Sequence, residues 1–413
     1  MTPEIEKRIK AVRAGRVPAG YKKSKVGIVP KDWGEVRFHD IFSRVVRKNK
    51  EGNTNVLTIS AQYGLINQND FFNKTVASDD KSNYYLMKKG EFAYNKSYSN
   101  GYPFGALKRL DFYDKGIVSP LYICFAANEN NKCPDFYVHY FEAGLMNGEI
   151  QAFAQEGARN HGLLNISVDD FFNSNLLNPP IGEQKKIAEI LATQDRVIEL
   201  KEKLIAEKQS QKKYLMSVLL GDDFKKPFKL NGVIIDKKKW EKKNFEDVFK
   251  KYNSPKCRIQ STEYLTDGKI PIVDQGLSLV VGYTNDDSSK NNCPKEGLIL
   301  FGDHTRICKF IDFDFAIGAD GTQFILPKNQ DNTKYLYYVI CNIKIPNNGY
   351  SRHFKYLKKS VIILPTLPEQ KAIADVLSAA DEEISLLQKD LEQEKFKKKS
   401  LMQLLLTGLV RVQ

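Results

Sequence analysis

One stretch of this chain occurs twice. Residues 179–220 lie over residues 365–406 at a constant offset and without a gap. Glu183, Gln184, Lys185, Ile187, Ala188, Leu191 and Asp195 recur as Glu369, Gln370, Lys371, Ile373, Ala374, Leu377 and Asp381. Further along, Lys212, Lys213, Leu215, Met216, Leu219 and Leu220 recur as Lys398, Lys399, Leu401, Met402, Leu405 and Leu406. Two unrelated core helices would share apolar positions but not a series of identical polar ones, so the chain reuses one structural module.

Each copy starts just after proline and carries apolar residues in steps of three, four or seven, the mark of an α-helix. In the first copy these are Ile187, Leu191, Ile198, Ile205, Leu215 and Leu219; in the second they are Ile373, Leu377, Ile384, Leu387, Leu391, Leu401 and Leu405. A stripe about two residues wide per heptad is a coiled-coil seam, so the two helices are expected to pair with each other. About 42 residues at 1.5 Å each make a rod of roughly 60 Å, too long for the inside of a small domain.

The segments ahead of the helices echo each other as well. Each is opened by one of the two tryptophans, and Trp33, Phe38, Asp40 and Phe42 match Trp240, Phe245, Asp247 and Phe249. Both segments hold short apolar runs broken by Gly, Asn and Asp, including 116–126 and 297–302, which read as strands. The expected fold is α+β, with two globular domains separated by two long antiparallel helices that form a coiled coil in a pseudo-twofold internal repeat. The expected division is an N-terminal helix at 1–20, a first domain at 21–178, a first helix at 179–222, a linker and second domain at 223–364, and a second helix at 365–413.

Charge narrows the choice of partner. Lys and Arg number 63 against 50 Asp and Glu, a net charge of +13 that suits a polyanion, nucleic acid first and an anionic membrane second. No run approaches the roughly 18 apolar residues of a spanning helix, and residues 1–10 alternate charges instead of building a signal core. A soluble, cytoplasmic protein is expected. The six cysteines are scattered, with no CxxC pair, and read as thiols of a reducing compartment.

The residues of catalysis are missing from the sequence. The five histidines stand apart, without triad or metal-ligand spacing. No GxxxxGK[ST] is present, and no glycine-rich loop follows a strand in the manner of a nucleotide or S-adenosylmethionine site. Asn178-Pro179-Pro180-Ile181 resembles the Asn-Pro-Pro-aromatic motif of amino-methyltransferases, but Ile181 offers no aromatic face for a flipped base, and the segment reads as a helix entry. Asp312 and Asp314 alternate with Phe like the polar face of a strand. No cofactor is expected on this chain.

Several loops carry the mixture that reads DNA: amides for adenine, cations for guanine, and hydroxyls and cations for phosphate. The first domain offers Asn95, Lys96, Tyr98, Asn100 and Tyr102, then Lys108 and Arg109, and further on Arg159, Asn160 and His161. The second offers Gln275, then His304, Thr305, Arg306 and Lys309, and then Arg352, His353 and Lys355.

With these residues in view, the chain resembles the specificity subunit of type I restriction-modification systems. The resemblance rests on the Pro-to-Glu-Gln-Lys helix openings at Pro179 and Pro365, Gly-Ile-Val-Ser-Pro at Gly116, Gly-Asp-His-Thr-Arg at Gly302 and Gly-Ala-Asp-Gly at Gly318. It implies two target recognition domains, each reading half of a bipartite, asymmetric site in double-stranded DNA, with the helices fixing the gap. It also implies a subunit without chemistry of its own. Two modification subunits would assemble on it, with restriction subunits for cleavage, and those partners would hold the S-adenosylmethionine, magnesium and ATP. The N-terminal helix would pack beside the long ones. Two rival readings are a coiled-coil scaffold that binds only proteins and the targeting part of a fused methyltransferase or nuclease.

Overall fold

A computed structural model of the chain describes residues 2–60, 63–71, 81–98, 101–156, 164–221, 226–252, 258–318, 320–346 and 351–412. The chain divides into two compact units, Met1–Leu200 with Leu391–Gln413, and Lys201–Asp390. The long helices run from Ile181 to Leu220 (40 residues) and from Leu367 to Leu405 (39 residues), so each unit holds one globular domain and a part of each helix.

In the first unit the strand Gly34–Arg37 leaves Trp33 and pairs antiparallel with Asn175–Asn178, the strand that delivers the chain to the first long helix. Phe38 and Phe42 then turn inward, with ring centroids 4.8 Å apart, onto Phe92, Phe125, Phe141 and Phe171. A four-stranded antiparallel sheet backs this aromatic core in the order Phe42–Arg44, Ile123–Ala127, Phe92–Asn95, Ala106–Arg109. The helix Pro134–Glu142 buries Phe136, Tyr137, Tyr140 and Phe141 in the same core.

The second unit repeats the plan with different residues. Strand Glu241–Asn244 follows Trp240 and pairs antiparallel with Val361–Leu364, which leads into the second long helix. Phe245 and Phe249 pack at 4.6 Å. The sheet order is Phe249–Lys251, Thr322–Pro327, Leu298–Gly302, Cys308–Ile311, the same permutation of chain order as in the first unit. Helix Thr333–Asn342 takes the place of Pro134–Glu142 and buries Tyr335, Leu336, Tyr338 and Ile340.

The duplicated polar residues do the same work in both units. Trp33 Nε1 donates to Glu183 Oε2 at 2.9 Å, and Trp240 Nε1 to Glu369 Oε1 at 3.1 Å. Gln184 Nε2 donates to the Pro179 carbonyl at 2.8 Å and Gln370 Nε2 to the Pro365 carbonyl at 2.9 Å, closing both helix entries. Lys398 meets Asp195 at 2.5 Å in the first unit, and Lys212 meets Asp381 in the second. Helix Pro134–Glu142 reaches the first of these carboxylates through His139, 3.8 Å away, and Thr333–Asn342 reaches the second through the Tyr338 hydroxyl at 2.8 Å. Burial of His139 lowers its pKa despite the neighbouring Asp195.

The apolar stripe of each helix has two uses, where the sequence pattern suggests one. Ile187 and Leu191 join Met402, Leu405 and Leu406 in the core of the first domain, while Leu219 and Leu220 join Ile373 and Leu377 in that of the second. Ile198, Ile205, Ile384 and Leu391, between these ends, belong to neither domain core. Ile205, Ile384 and Leu391 are buried, Ile198 is half-buried, and the half-buried Leu215 and Leu401 pack against their domain cores. In the second unit Lys201, Lys208 and Lys212 pair with Asp390, Glu383 and Asp381, an order that makes the helices antiparallel.

The ends of the chain meet in the first unit. Arg8 Nη1 donates to the Leu409 carbonyl at 3.0 Å and the Tyr21 hydroxyl to that of Gly408 at 2.6 Å. Arg411 grips Glu183 at 2.8 Å and Asp32 at 2.7 Å. Among the described residues, no helix is long and apolar enough to cross a membrane.

Candidate nucleic-acid interface

In each sheet the two strands farthest along the order form a hairpin, and its connection carries the richest of the sequence candidates. The first domain's connection joins Phe92–Asn95 to Ala106–Arg109; the second's joins Leu298–Gly302 to Cys308–Ile311. A segment far away in sequence is bonded to each. The Lys96 carbonyl accepts the Leu164 amide at 3.1 Å, which ties Leu164 to the first hairpin. In the second domain the Asp303 carbonyl accepts the His353 amide at 2.8 Å and the Asp303 carboxylate accepts that of Phe354 at 2.8 Å. Equivalent hairpins in two dissimilar sequences are therefore each bonded to a segment distant in sequence.

Within the first domain the candidates divide into presented and braced groups. Tyr98 is exposed, and Asn95 turns its side-chain oxygen to the Ser97 amide at 3.1 Å. Tyr102 and Lys108 are committed inward: the Tyr102 hydroxyl donates to Glu142 Oε1 at 2.6 Å, and the Lys108 ammonium lies on the other oxygen of Glu142 and 4.9 Å from the Tyr102 ring centroid. Burial pushes the Glu142 carboxyl up, but Lys108 and Tyr102 outweigh it and hold it below the usual carboxylate range. Arg109 is similarly engaged, with Asp111 at 2.7 Å and Asp135 at 2.5 Å. Lys108 and Arg109 thus stiffen the foot of the hairpin with their charges already matched. Asn100, Arg159, Asn160 and His161 lie outside the described residues.

The second domain's loop is held more tightly. The Arg306 amide closes on the Gly302 carbonyl at 2.8 Å, and Arg306 adopts a left-handed φ of 62°. Gly321 has a left-handed φ of 87°, which favours glycine, and a side chain on Gly302 would crowd Thr305 Oγ1 where these loops cross. Gln275 is the hub: its Oε1 accepts the His304 amide at 3.1 Å, its Nε2 donates to the Asp320 carbonyl at 2.7 Å, and its own carbonyl accepts the Thr305 hydroxyl at 2.8 Å. Arg306 Nη1 donates to the Ile345 carbonyl at 3.2 Å. Lys309 is only 4% exposed; its ammonium donates to the carbonyls of Asp274 and Ser278, and burial lowers its pKa. His353 is buried, with its ring Nδ1 3.0 Å from the Asp303 carbonyl. Thr305, Arg352 and Lys355 are exposed. Lys309 and His353 therefore shape the surface, whereas Thr305, Arg352 and Lys355 are presented on it.

Two exposed side chains escape a reading that looks for polar residues. Tyr63 stands beside the turn of the hairpin Leu57–Ser60/Gly64–Asn67, and Leu277 in the turn of Ile270–Val273/Gly282–Thr284. Their signal in sequence is a neighbouring glycine, Gly64 and Gly276.

The family model for the type I restriction modification DNA specificity domain matches this chain twice, over residues 30–208 and 237–394. The chain belongs to that specificity family. Both matches begin near a tryptophan and run into a long helix, as the structural repeat does. The chain is 26% identical over 423 residues to the putative type I restriction enzyme MjaX specificity subunit of Methanocaldococcus jannaschii, with 95% of this chain and 97% of that protein covered. The MjaVIII specificity subunit of the same organism is 26% identical over 341 residues, covering 72% and 75%. Among solved structures, the S subunit of a type I restriction-modification system from M. genitalium aligns with a TM-score of 0.56 at 15% identity, covering 90% of this chain and 96% of that one. A chain from the structure on complex assembly and conformational transition of the type I R-M system aligns with a TM-score of 0.51 at 17% identity, covering 92% and 99%. These likenesses support the fold, and membership of the specificity family makes DNA target recognition the task of the two domains.

Proposed function

We propose that this chain is the non-catalytic, sequence-reading subunit of a cytoplasmic type I restriction-modification complex. Residues 21–178 and 223–364 act as target recognition domains, each taking one half of a bipartite, asymmetric site in double-stranded DNA. The helices within 179–222 and 365–413 set the distance between half-sites and carry two modification subunits, with restriction subunits joining for cleavage. Methyl transfer and ATP-dependent cleavage belong to those partners, together with S-adenosylmethionine, magnesium and ATP.

The observation that carries this reading is the equivalence of the two hairpins, each at the same place in its sheet. Two domains of one topology hold different side chains at the same hairpin, which suits two half-sites of different sequence. Exposed Leu200, Tyr214, Leu386 and Phe396 on the long helices support a protein-docking role. The net charge of +13 supports a polyanionic partner.

The test is methylome sequencing of a host carrying this chain with its modification subunits, set against a host lacking the chain. A two-part motif that disappears with the chain is the expected result; an unchanged methylome overturns the reading. Binding of the complex to a duplex bearing that motif should weaken steeply with added salt, as counterion release requires.

A further inference from the structure

Leu277 is the most exposed large apolar side chain among the described residues, at 91%. Exposed leucines are common on protein surfaces, but this one stands on a loop built not to yield. The Gly276 amide donates to Asp274 Oδ1 at 2.7 Å, and Gln275 is fixed at both ends of its amide. Lys309 spans the turn from beneath, donating to the carbonyls of Asp274 at 2.7 Å and of Ser278. Burying an ammonium is costly unless it is well bonded, and this one is bonded to both flanks of Leu277. A side chain held out on a stiff backbone loses little entropy when a partner covers it.

The neighbourhood indicates the partner's chemistry. Through Gln275, the turn is hydrogen-bonded to His304 and Thr305, and the hairpin connection that holds those two is bonded through Asp303 to the His353 segment. The loop bonded to this turn presents Thr305, and an aliphatic tip beside an exposed hydroxyl complements the major groove of DNA, where the apolar feature of a base edge is the 5-methyl group of thymine. The first domain has a corresponding hairpin, Leu57–Ser60/Gly64–Asn67, and Tyr63, next to its second strand, exposes an aromatic side chain at 64%. Each hairpin also has a parallel partner, Val56 to Ile117 in the first domain and Ile272 to Ala316 in the second, so the two hairpins are topological equivalents.

We propose that Leu277 determines specificity by packing on the methyl group of one thymine in the half-site read by the second domain. This rests on the DNA-reading role given above and adds the residue and the atom. The test uses the full chain assembled with its modification subunits, as wild type and as Leu277→Ala, a change at an exposed position that leaves the fold intact. In the host methylome, Leu277→Ala should relax one A·T position of one half-site and leave the other half-site unchanged. On duplexes carrying the wild-type motif, uracil in place of that thymine should weaken wild-type binding about fourfold, the effect of one buried methyl group, and leave Leu277→Ala unaffected. An unchanged motif overturns the proposal. So does a loss of affinity spread evenly over all sequences, or a uracil effect that persists in the variant. In each of these cases the wild-type complex still yields its two-part motif, whereas absence of a motif in the wild type overturns the DNA-reading role itself.

Discussion

Glu183 and Glu369 are 6% and 4% exposed, and each gathers several donors. Glu183 accepts from the Trp33 indole at 2.9 Å and from Arg411 at 2.8 and 2.9 Å. Glu369 accepts from Trp240, from the Asp236 amide at 2.8 Å, and from the amide and hydroxyl of Thr366 at 2.9 and 2.8 Å. Burial pushes the Glu369 carboxyl up, but these hydrogen bonds outweigh it and leave the group below the usual range. A lowered native pKa means that the stabilisation is present above the unfolded value, about 4.3, and is lost as pH falls through the lowered one. Replacing either carboxylate by an amide points an N–H at donors already in place. Glu369→Gln and Glu183→Gln should each cost about 1–3 kcal/mol in urea unfolding, with Glu183→Gln also releasing Arg411. Wild-type stability in both would show that these repeated glutamates are not the anchors of their units.

At the scale of elements, the antiparallel register of the long helices is written in Lys201–Asp390, Lys208–Glu383 and Lys212–Asp381 within the second unit. If the helices measure the gap between half-sites, removing four facing residues from each should shorten the preferred spacer by about two base pairs, since four residues rise 6 Å and a base pair 3.4 Å. Methylome motifs or binding to a spacer series would reveal the change; an unaltered spacer preference would end the ruler idea. The helices were legible in the sequence because a 3.6-residue period and gapless duplication leave little else to choose. The matching sheets were not. Beyond Trp33/Trp240 and the phenylalanine pairs, the two domains satisfy one topology with different side chains, and pairing of distant strands such as Gly34–Arg37 with Asn175–Asn178 leaves no local pattern. The loop candidates were legible as a mixture of residue types, but not by role. Whether a lysine faces solvent or, like Lys108 and Lys309, turns onto an acceptor of its own domain depends on Glu142 and Ser278, which are remote in sequence.

For the whole molecule, the tail matters more than its length suggests. Gly408, Leu409 and Arg411 bond to Tyr21, Arg8, Glu183 and Asp32, all in the first unit. Removing residues 407–413 should destabilise that unit by at least about 2 kcal/mol, because it strands a buried carboxylate and a buried tyrosine hydroxyl. Hydrogen exchange provides the readout: amides of Gly34–Arg37 should exchange faster, while those of Glu241–Asn244 keep their protection. Equal protection in both forms would show that the tail is dispensable.

This distribution of contacts sets an order of assembly during synthesis. The second unit, Lys201–Asp390, is one uninterrupted stretch, whereas Met1–Leu200 shares its unit with Leu391–Gln413. A ribosome thus releases every residue of the later-made half before it releases the last ones that the earlier-made half requires. The front of the nascent chain waits, with Glu183 still lacking its arginine, and the back is the first able to close. Translation that stops early would leave a finished rear unit attached to an unfinished leading one.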